Sequence, residues 1–296
     1  MDKVLKKLSK YKTIYRVLQN SYYWLIEKPK CNIILFFYYI KIKLVEIGFF
    51  KEDERYARIQ KLKDKYKGKR CFIVATGPSI RMSDLDAIKD ELSISMNSIV
   101  NILDKTEFRP TYYMVQDYFV FLKVYENSKL LPDSTQKFLG ICNMPRRDFK
   151  YVNKILKKDK SFGLFRCNYA ATRKCGNKPV DEVDIGFSWD CSRELIDGYT
   201  VTYSAIQLAV WMGVSEIYLL GCDCNYSQKI NHVGEYQEEN HEYSNKTEAR
   251  LMKSYECAYN QLKGKVKIYN ATRGGQLEVF PRVNFDDLIK ENNSKL

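Results

Sequence analysis

Histidine is almost missing from this chain. Its 296 residues hold two, His232 and His241, so the side chain whose ordinary pKa suits proton transfer near neutrality is on offer at two positions alone. Long apolar runs are missing too. The most apolar stretch, residues 31–50, reads CNIILFFYYIKIKLVEIGFF and is broken by Lys41, Lys43 and Glu46. Its uncharged part falls short of the roughly 20 residues a spanning helix needs, and no small-residue cleavage site follows. That argues against both a transmembrane helix and a secretory signal. The nine cysteines are odd in number and scattered, without the dense spacing of a disulfide scaffold, and read as reduced thiols of a cytoplasmic protein. Cys222-x-Cys224 with the two histidines fits no standard zinc-finger spacing. No RNA-recognition signature occurs either, so neither a metal nor a nucleic acid is expected.

Positive charge, in contrast, is abundant. A net charge of +13 and a pI near 9.1 point to an anionic partner. Much of the excess sits at the amino end, where residues 1–30 carry Lys3, Lys6, Lys7, Lys10, Lys12, Arg16, Lys28 and Lys30 against Asp2 and Glu27. Tyr22, Tyr23, Trp24, Phe36, Phe37, Tyr38 and Tyr39 add interfacial side chains to the apolar stretch. Two readings stay open: an amphipathic helical element attached peripherally to an anionic leaflet, or one packed on the core or on another subunit of a homo-oligomer. Glu52 to Lys69 is a charged, helix-prone connector. The boundary falls there, between a basic, aromatic-rich segment (1–66) and a single catalytic domain (67–296) with apolar content enough for one full core.

That domain opens on Lys67-Gly68-Lys69-Arg70, an apolar run from Cys71, an abrupt stop at Gly77-Pro78-Ser79 and then a helical pattern. In an open, mainly parallel α/β sheet with helices on both faces, this is the layout of a first strand, its carboxyl-end loop and a helix aimed at a bound phosphate. A plain Gly-Pro turn is the alternative. Ser83 is placed to cap the helix, and Asp84-x-Asp86 in its first turn is explained by the helix dipole rather than by a metal. Leu92–Met96 and Thr111–Val115 read as strands ending at Asn97 and at Gln116-Asp117. Parallel strands converge at their carboxyl ends, so Thr76, Ser79, Asn97, Gln116 and Asp117 are expected to be neighbours.

Residues 118–195 carry less signal. Phe138–Ile141 reads as a strand, while Pro145-Arg146-Arg147 and Arg166 to Lys178 read as basic loops, an irregular insertion or an acceptor lid. Thr200 to Gly213 is a helix with Thr200 and Thr202 in its first turn and Gly213 as its stop. Val214–Leu220 is a buried strand ending in Gly221-Cys222-Asp223-Cys224-Asn225-Tyr226, where Asp223 either orients a ribose or acceptor hydroxyl or caps its own loop. A helix from Lys246 to Leu262 and a strand from Lys265 to Tyr269 complete the sheet. The exit carries Arg273, Gly274 and Gly275, placed for close approach and for phosphate or carboxylate contact. His232 and His241 are the candidate bases, with plain surface residues as the alternative.

The runs Cys71 to Ile80, Tyr112 to Asp117, Gly213 to Tyr226 and Ile268 to Gly275, with Asn97, resemble the MptE-like (6-hydroxymethylpterin diphosphokinase-like) domain family over about residues 67–288. That family is related to the motility-associated flagellin glycosyltransferases and the bacterial lipooligosaccharide sialyltransferases. The resemblance implies a Rossmann-like transferase that takes an acidic sugar, sialic-acid-like or Kdo-like, from a CMP-activated donor without metal or other cofactor. It implies Thr76, Gly77, Pro78 and Ser79 on the nucleotide phosphate, Asn97 on the nucleotide sugar, and Tyr226 and Tyr236 assisting phosphate departure. His232 or His241 would deprotonate the acceptor. With the other strand ends, the donor site is expected to add Gln116, Asp117, Thr200, Thr202, Gly221 and Asp223. The expected activity is transfer to a cell-surface or lipid-linked glycan at the inner face of the plasma membrane. The alternatives are a diphosphokinase acting on a pterin alcohol with ATP and Mg²⁺, held by Asp117 and Asp223, and a non-catalytic nucleotide-binding subunit of a glycan assembly complex.

Overall fold

The first strand, β1 (Arg70–Val74), is buried on both faces, which is why it reads as an unbroken apolar run: Cys71 and Ile73 enter one core layer, Phe72 and Val74 the other. The computed structural model of the chain describes residues 17–18, 20–175, 185–225, 233 and 245–293. Seven further strands join β1 in one sheet: β2 (Ser93–Met96), β3 (Tyr112–Val115), β4 (Gln136–Cys142), β5 (Gly163–Asn168), β6 (Leu195–Ile196), β7 (Glu216–Leu220) and β8 (Lys267–Asn270). Their order is β6-β5-β4-β3-β2-β1-β7-β8, and every pairing among them is parallel. The Rossmann-like open sheet expected from the sequence is therefore the fold, with the helical amino-terminal segment in place.

That segment is α1 (Lys28–Glu46), entered through a π-helical turn at Tyr23–Glu27. Then come α2 (Ala57–Gln60), α3 (Met82–Ala87), α4 (Tyr118–Ser128), α5 (Phe149–Lys158), α6 (Tyr169–Cys175), α7 (Val201–Trp211), α8 (Asn245–Leu262) and α9 (Phe285–Asn293). Leu85 of α3, Phe121 of α4, Val152 of α5 and Phe285 of α9 pack on one face of the sheet, and α7 and α8 on the other. Every residue of α7 except Val210 is buried, as its apolar surface all round requires of a helix sandwiched between sheet and α8. Gln207 is tolerated there because both ends of its amide are paired: Oε1 accepts from Ser188 N and Ile196 N, and Nε2 donates to Ile196 O and Tyr203 O. Gly213, at φ +80°, ends the helix as expected, a conformation that an L side chain resists.

The strand order makes a switch point. From β1 the chain builds outward through β2 to β6, then α7 carries it back to β7 on the other side of β1. The connection leaving β1 runs over one face and the one leaving β7 over the opposite face, so their loops part and leave a crevice at the carboxyl edge.

Three expectations change. Residues 163–175 are not a loop but β5 and α6. Arg166, which makes the stretch look like surface, is held by the Glu52 carboxylate and donates to Ser192 O at 2.7 Å. Ser83 lies inside α3 and caps nothing; the cap residue is Arg81, in extended conformation and without a side-chain hydrogen bond. Asp84 owes its place less to the dipole than to Arg273, whose Nε lies 2.7 Å from its Oδ2, while Asp86 accepts from Glu107 N at 2.8 Å. All nine cysteines are free thiols. No described helix is long and apolar enough to cross a membrane.

Candidate functional site

The β1 and β7 loops are bolted together before they meet any ligand. Ala75 N donates to Leu220 O at 2.9 Å and Gly77 N to Gly221 O at 2.8 Å, extending the strand pairing by two steps. Asp223 then accepts from Ser79 Oγ at 2.8 Å and Ser79 N at 3.3 Å. Glycine is required at this crossing. A Cβ on Gly77 would lie 1.9 Å from Asp223 Oδ2 and 2.4 Å from Gly221 O. Gly221 stands at φ +66°, with Ile80 Cγ1 2.6 Å from where its Cβ would be. Asp223 therefore braces the neighbouring β1 loop rather than capping its own, and it also lines the narrower of the clefts on this edge. Gly77 N and the Ser79 donors, expected on a phosphate, are turned onto protein acceptors, and α3 starts beyond them, at Met82.

Two clefts open on this edge and share a wall of Asn97, Thr200 and Val201. The narrow one, about 60 Å³, is bounded by Thr76, Gly77, Thr202, Gly221 and Asp223. The wide one, about 360 Å³, runs past Gln116, Asp117, Arg146, Tyr169 and Asp197. The strand-end residues picked from sequence are therefore brought together, in two adjoining groups. Pro78 and Ser79 line neither cleft. Arg273 and Gly274 line neither cleft; the Arg273 guanidinium spans the carboxylates of Asp84 and Asp286. His232, His241, Tyr226 and Tyr236 lie outside the described residues.

Asn97 occupies the junction. It is held at φ +48°, a left-handed conformation costly for a non-glycine residue. Its carbonyl accepts from Tyr113 OH at 2.7 Å, while its Oδ1 is buried and takes no hydrogen bond from any described residue. Next to it Val233 crosses the rim: its N donates to Thr76 O at 2.6 Å and its O accepts from Ser98 Oγ at 2.7 Å. Thr200 caps α7, accepting from Thr202 N at 3.3 Å, and Thr202 Oγ1 turns inward to Met96 Sδ at 3.4 Å.

In the wide cleft the polar groups form a relay. Ser204 Oγ donates to Gln116 Oε1 at 2.7 Å, and Gln116 Nε2 donates to Asp197 Oδ2 at 2.9 Å. Burial pushes the Asp197 carboxyl up to about 6, the nearby Asp117 charge adding to the rise while the hydrogen bond from Tyr199 N opposes it. Asp117 caps α4, accepting from Phe119 N at 2.8 Å and Val120 N at 3.1 Å, and pairs with Arg146 at 3.1 Å. Asp197, Arg146 and Tyr169 are wall residues that the strand-end reading missed. Asp197 follows the same rule as Asp117 and Asp223, a carboxylate just past a parallel strand, but its strand has two residues and leaves no periodic signal. Burial also raises Cys222 well above the ordinary thiol range and Cys224 to about 12, so both stay protonated near neutrality. Among the described residues no group of three metal-binding side chains occurs.

No curated protein sequence matches the chain. Among solved structures it is similar to the MAf glycosyltransferase of Magnetospirillum magneticum AMB-1, with a TM-score of 0.48 and 16% identity over 82% of this chain. The chain spans 41% of that protein's length. It is also similar to the sialyltransferase CstII of Campylobacter jejuni in complex with cytidine-5'-monophosphate, with a TM-score of 0.45 and 16% identity over 73% of this chain and 85% of that one. The CstII complex with CMP-3FNeuAc gives a TM-score of 0.43 and 14% identity over 73% and 86%. A family profile matches residues 47–229, more than half the length of the chain, which therefore belongs to the 6-hydroxymethylpterin diphosphokinase MptE-like family.

Proposed function

We propose that the chain is a glycosyltransferase that takes an acidic sugar from a CMP-activated donor and passes it to a glycan acceptor without a metal ion. The observation that carries this reading is Asn97, a strained residue whose buried Oδ1, unpaired among the described residues, stands where the two clefts join. An orphaned acceptor calls for a ligand that brings a donor, such as a ribose hydroxyl or an exocyclic amine; a bare phosphate near neutrality is a poor match. The narrow cleft then takes part of the nucleotide and the wide one the sugar and acceptor. In the reaction an acceptor oxygen bonds to the anomeric carbon as the bond to the CMP oxygen breaks, and a base removes the acceptor proton. His232 is our choice for the base, because Val233, the next residue in sequence, is hydrogen-bonded to Thr76 and Ser98 at the crevice. A net charge of +13 suits an anionic donor.

The family name keeps a diphosphokinase in view. That reaction needs carboxylates free to hold Mg²⁺. Asp223 braces Ser79 and Asp117 caps α4, which favours the sugar reading. Unfolding midpoints measured with cytidine, uridine, guanosine and adenosine monophosphates test the donor: CMP is expected to give the largest rise. No rise with CMP would overturn the choice of nucleotide. Transfer that stops in a chelator and returns with Mg²⁺ would overturn the metal-independent reading.

A further inference from the structure

We infer that the outward face of α1 is a docking surface for a bilayer containing anionic lipids. One side of this helix is used up by the protein. Cys31 and Ile42 are buried, Tyr39 OH donates to Glu194 at 3.1 Å, and Tyr23 OH donates to Lys174 O at the end of α6. The opposite side carries Ile33, Phe36, Phe37, Ile40 and Ile47, spaced i, i+3, i+4, i+7 and i+14, so they form one continuous stripe. They are 58%, 62%, 63%, 40% and 64% exposed. Phe49 and Phe50 continue the apolar surface past the end of the helix, and Trp24 and Leu25 precede it. Scattered exposed apolar side chains are ordinary; a stripe of this length is not.

Charge selects the occupant. At 100° per residue Lys30 and Lys41 flank one edge of the stripe and Lys43 the other, all exposed. By sequence, Lys3, Lys6, Lys7, Lys10, Lys12 and Arg16 come before it. A second copy meeting this stripe would bring lysine rows against lysine rows. The acids at the two ends of the helix are already taken, Glu46 by Arg193 at 2.7 Å and by Lys43 of the same helix at 3.4 Å, and Glu27 by Arg173 at 3.3 Å. An anionic leaflet meets both needs, apolar depth for the aromatic rings and negative headgroups for the lysines, with α1 lying in the interface rather than crossing it.

The surface also stands close to the candidate site. The helix packs on α6, whose first residue, Tyr169, lines the wide cleft and whose last turn receives Tyr23; seven residues span about 10 Å. A lipid-linked acceptor held in the bilayer would therefore be presented beside that cleft, a consequence that rests on the transferase reading, whereas the docking does not.

Flotation of the full chain with phosphatidylcholine vesicles, and with vesicles that also contain phosphatidylglycerol, tests the surface without any donor. The chain is expected to float with the anionic vesicles. Phe36→Ser/Phe37→Ser/Ile40→Ser and, separately, Lys30→Gln/Lys41→Gln/Lys43→Gln are expected to lower partitioning by about tenfold or more while keeping the parent's unfolding midpoint. No flotation of the parent, or flotation of either variant equal to the parent's, would overturn the proposal. So would a parent dimer that the serine variant dissolves into monomers. Intact flotation with no sugar transfer would refute the transferase reading and leave the docking standing.

Discussion

Ser79 Oγ and Asp223 Oδ2 lie 2.8 Å apart and join the two loops that diverge at the switch point of the sheet. The bond is possible because Gly77 leaves the space in front of Asp223 empty. Gly77→Ala is expected to drive the loops apart and cost about 1–3 kcal/mol, as overpacking against backbone does. Ser79→Ala removes a hydrogen bond to a charged acceptor without adding bulk and is expected to cost about 1 kcal/mol. Urea unfolding checks both, and a Gly77→Ala midpoint equal to the parent's would contradict the geometry.

Asn97 combines strain with a buried oxygen that no described residue pairs. Asn97→Gly relieves the left-handed backbone and deletes the orphan acceptor, so the variant is expected to gain about 1 kcal/mol of stability. The same change removes the proposed ligand contact and is expected to weaken nucleotide binding about tenfold. A variant that is both less stable and equally good at binding would show that Asn97 is a structural residue.

The Asp197 carboxyl has its pKa raised from 3.8 to about 6 by burial, so the folded state keeps a proton that the unfolded chain has lost between those values. Stability from this group is highest below about pH 4, falls as the pH climbs to about 6, and is then flat at a penalty on the order of 3 kcal/mol. Asp197→Asn carries no such titration. The difference between parent and variant unfolding free energies, followed from about pH 4 to about pH 7, is expected to shift in favour of the variant across that window. A difference that does not change with pH would refute the burial argument.

Arg273 holds Asp84, which is buried, and Asp286, which is exposed. Arg273→Ala strands the buried carboxylate and is expected to cost about 3 kcal/mol. Asp286→Ala is expected to leave the unfolding midpoint unchanged, because its partner keeps Asp84 and solvent screens the outer pair. If Arg273 served a bound phosphate instead, its alanine variant would lose nucleotide affinity with little loss of stability, and titration calorimetry beside urea unfolding separates the two.

How much of this was legible in the sequence varied along the chain. The run at Cys71–Val74, the turn residues after it, the stop at Gly213 and the strand before Asp223 are set by local chemistry: apolar side chains on both faces of a buried parallel strand, and glycines where no Cβ fits. These fixed the fold class and the edge of the sheet that carries the site. Between Tyr118 and Leu195 the strand at Phe138–Ile141 was legible and little else, because what stabilises β5, α6 and β6 is distant in sequence. Arg166 looks like surface until Glu52 is seen against it, and a strand of two residues has no period to read.

The sequence by itself determined an open parallel sheet, a basic amino-terminal helix and the polar residues at the strand ends, since these depend on periodicity, composition and turn chemistry. Only the tertiary structure decided what those residues do. It turned Asp223 and Ser79 onto each other, gave Arg273 to two carboxylates, buried Asp197 far enough to hold its proton up to about pH 6, and left Asn97 Oδ1 without a partner among the described residues. Each of these depends on which groups long-range packing brings within hydrogen-bond distance, and on how much water it leaves beside them, and neither is written in local spacing.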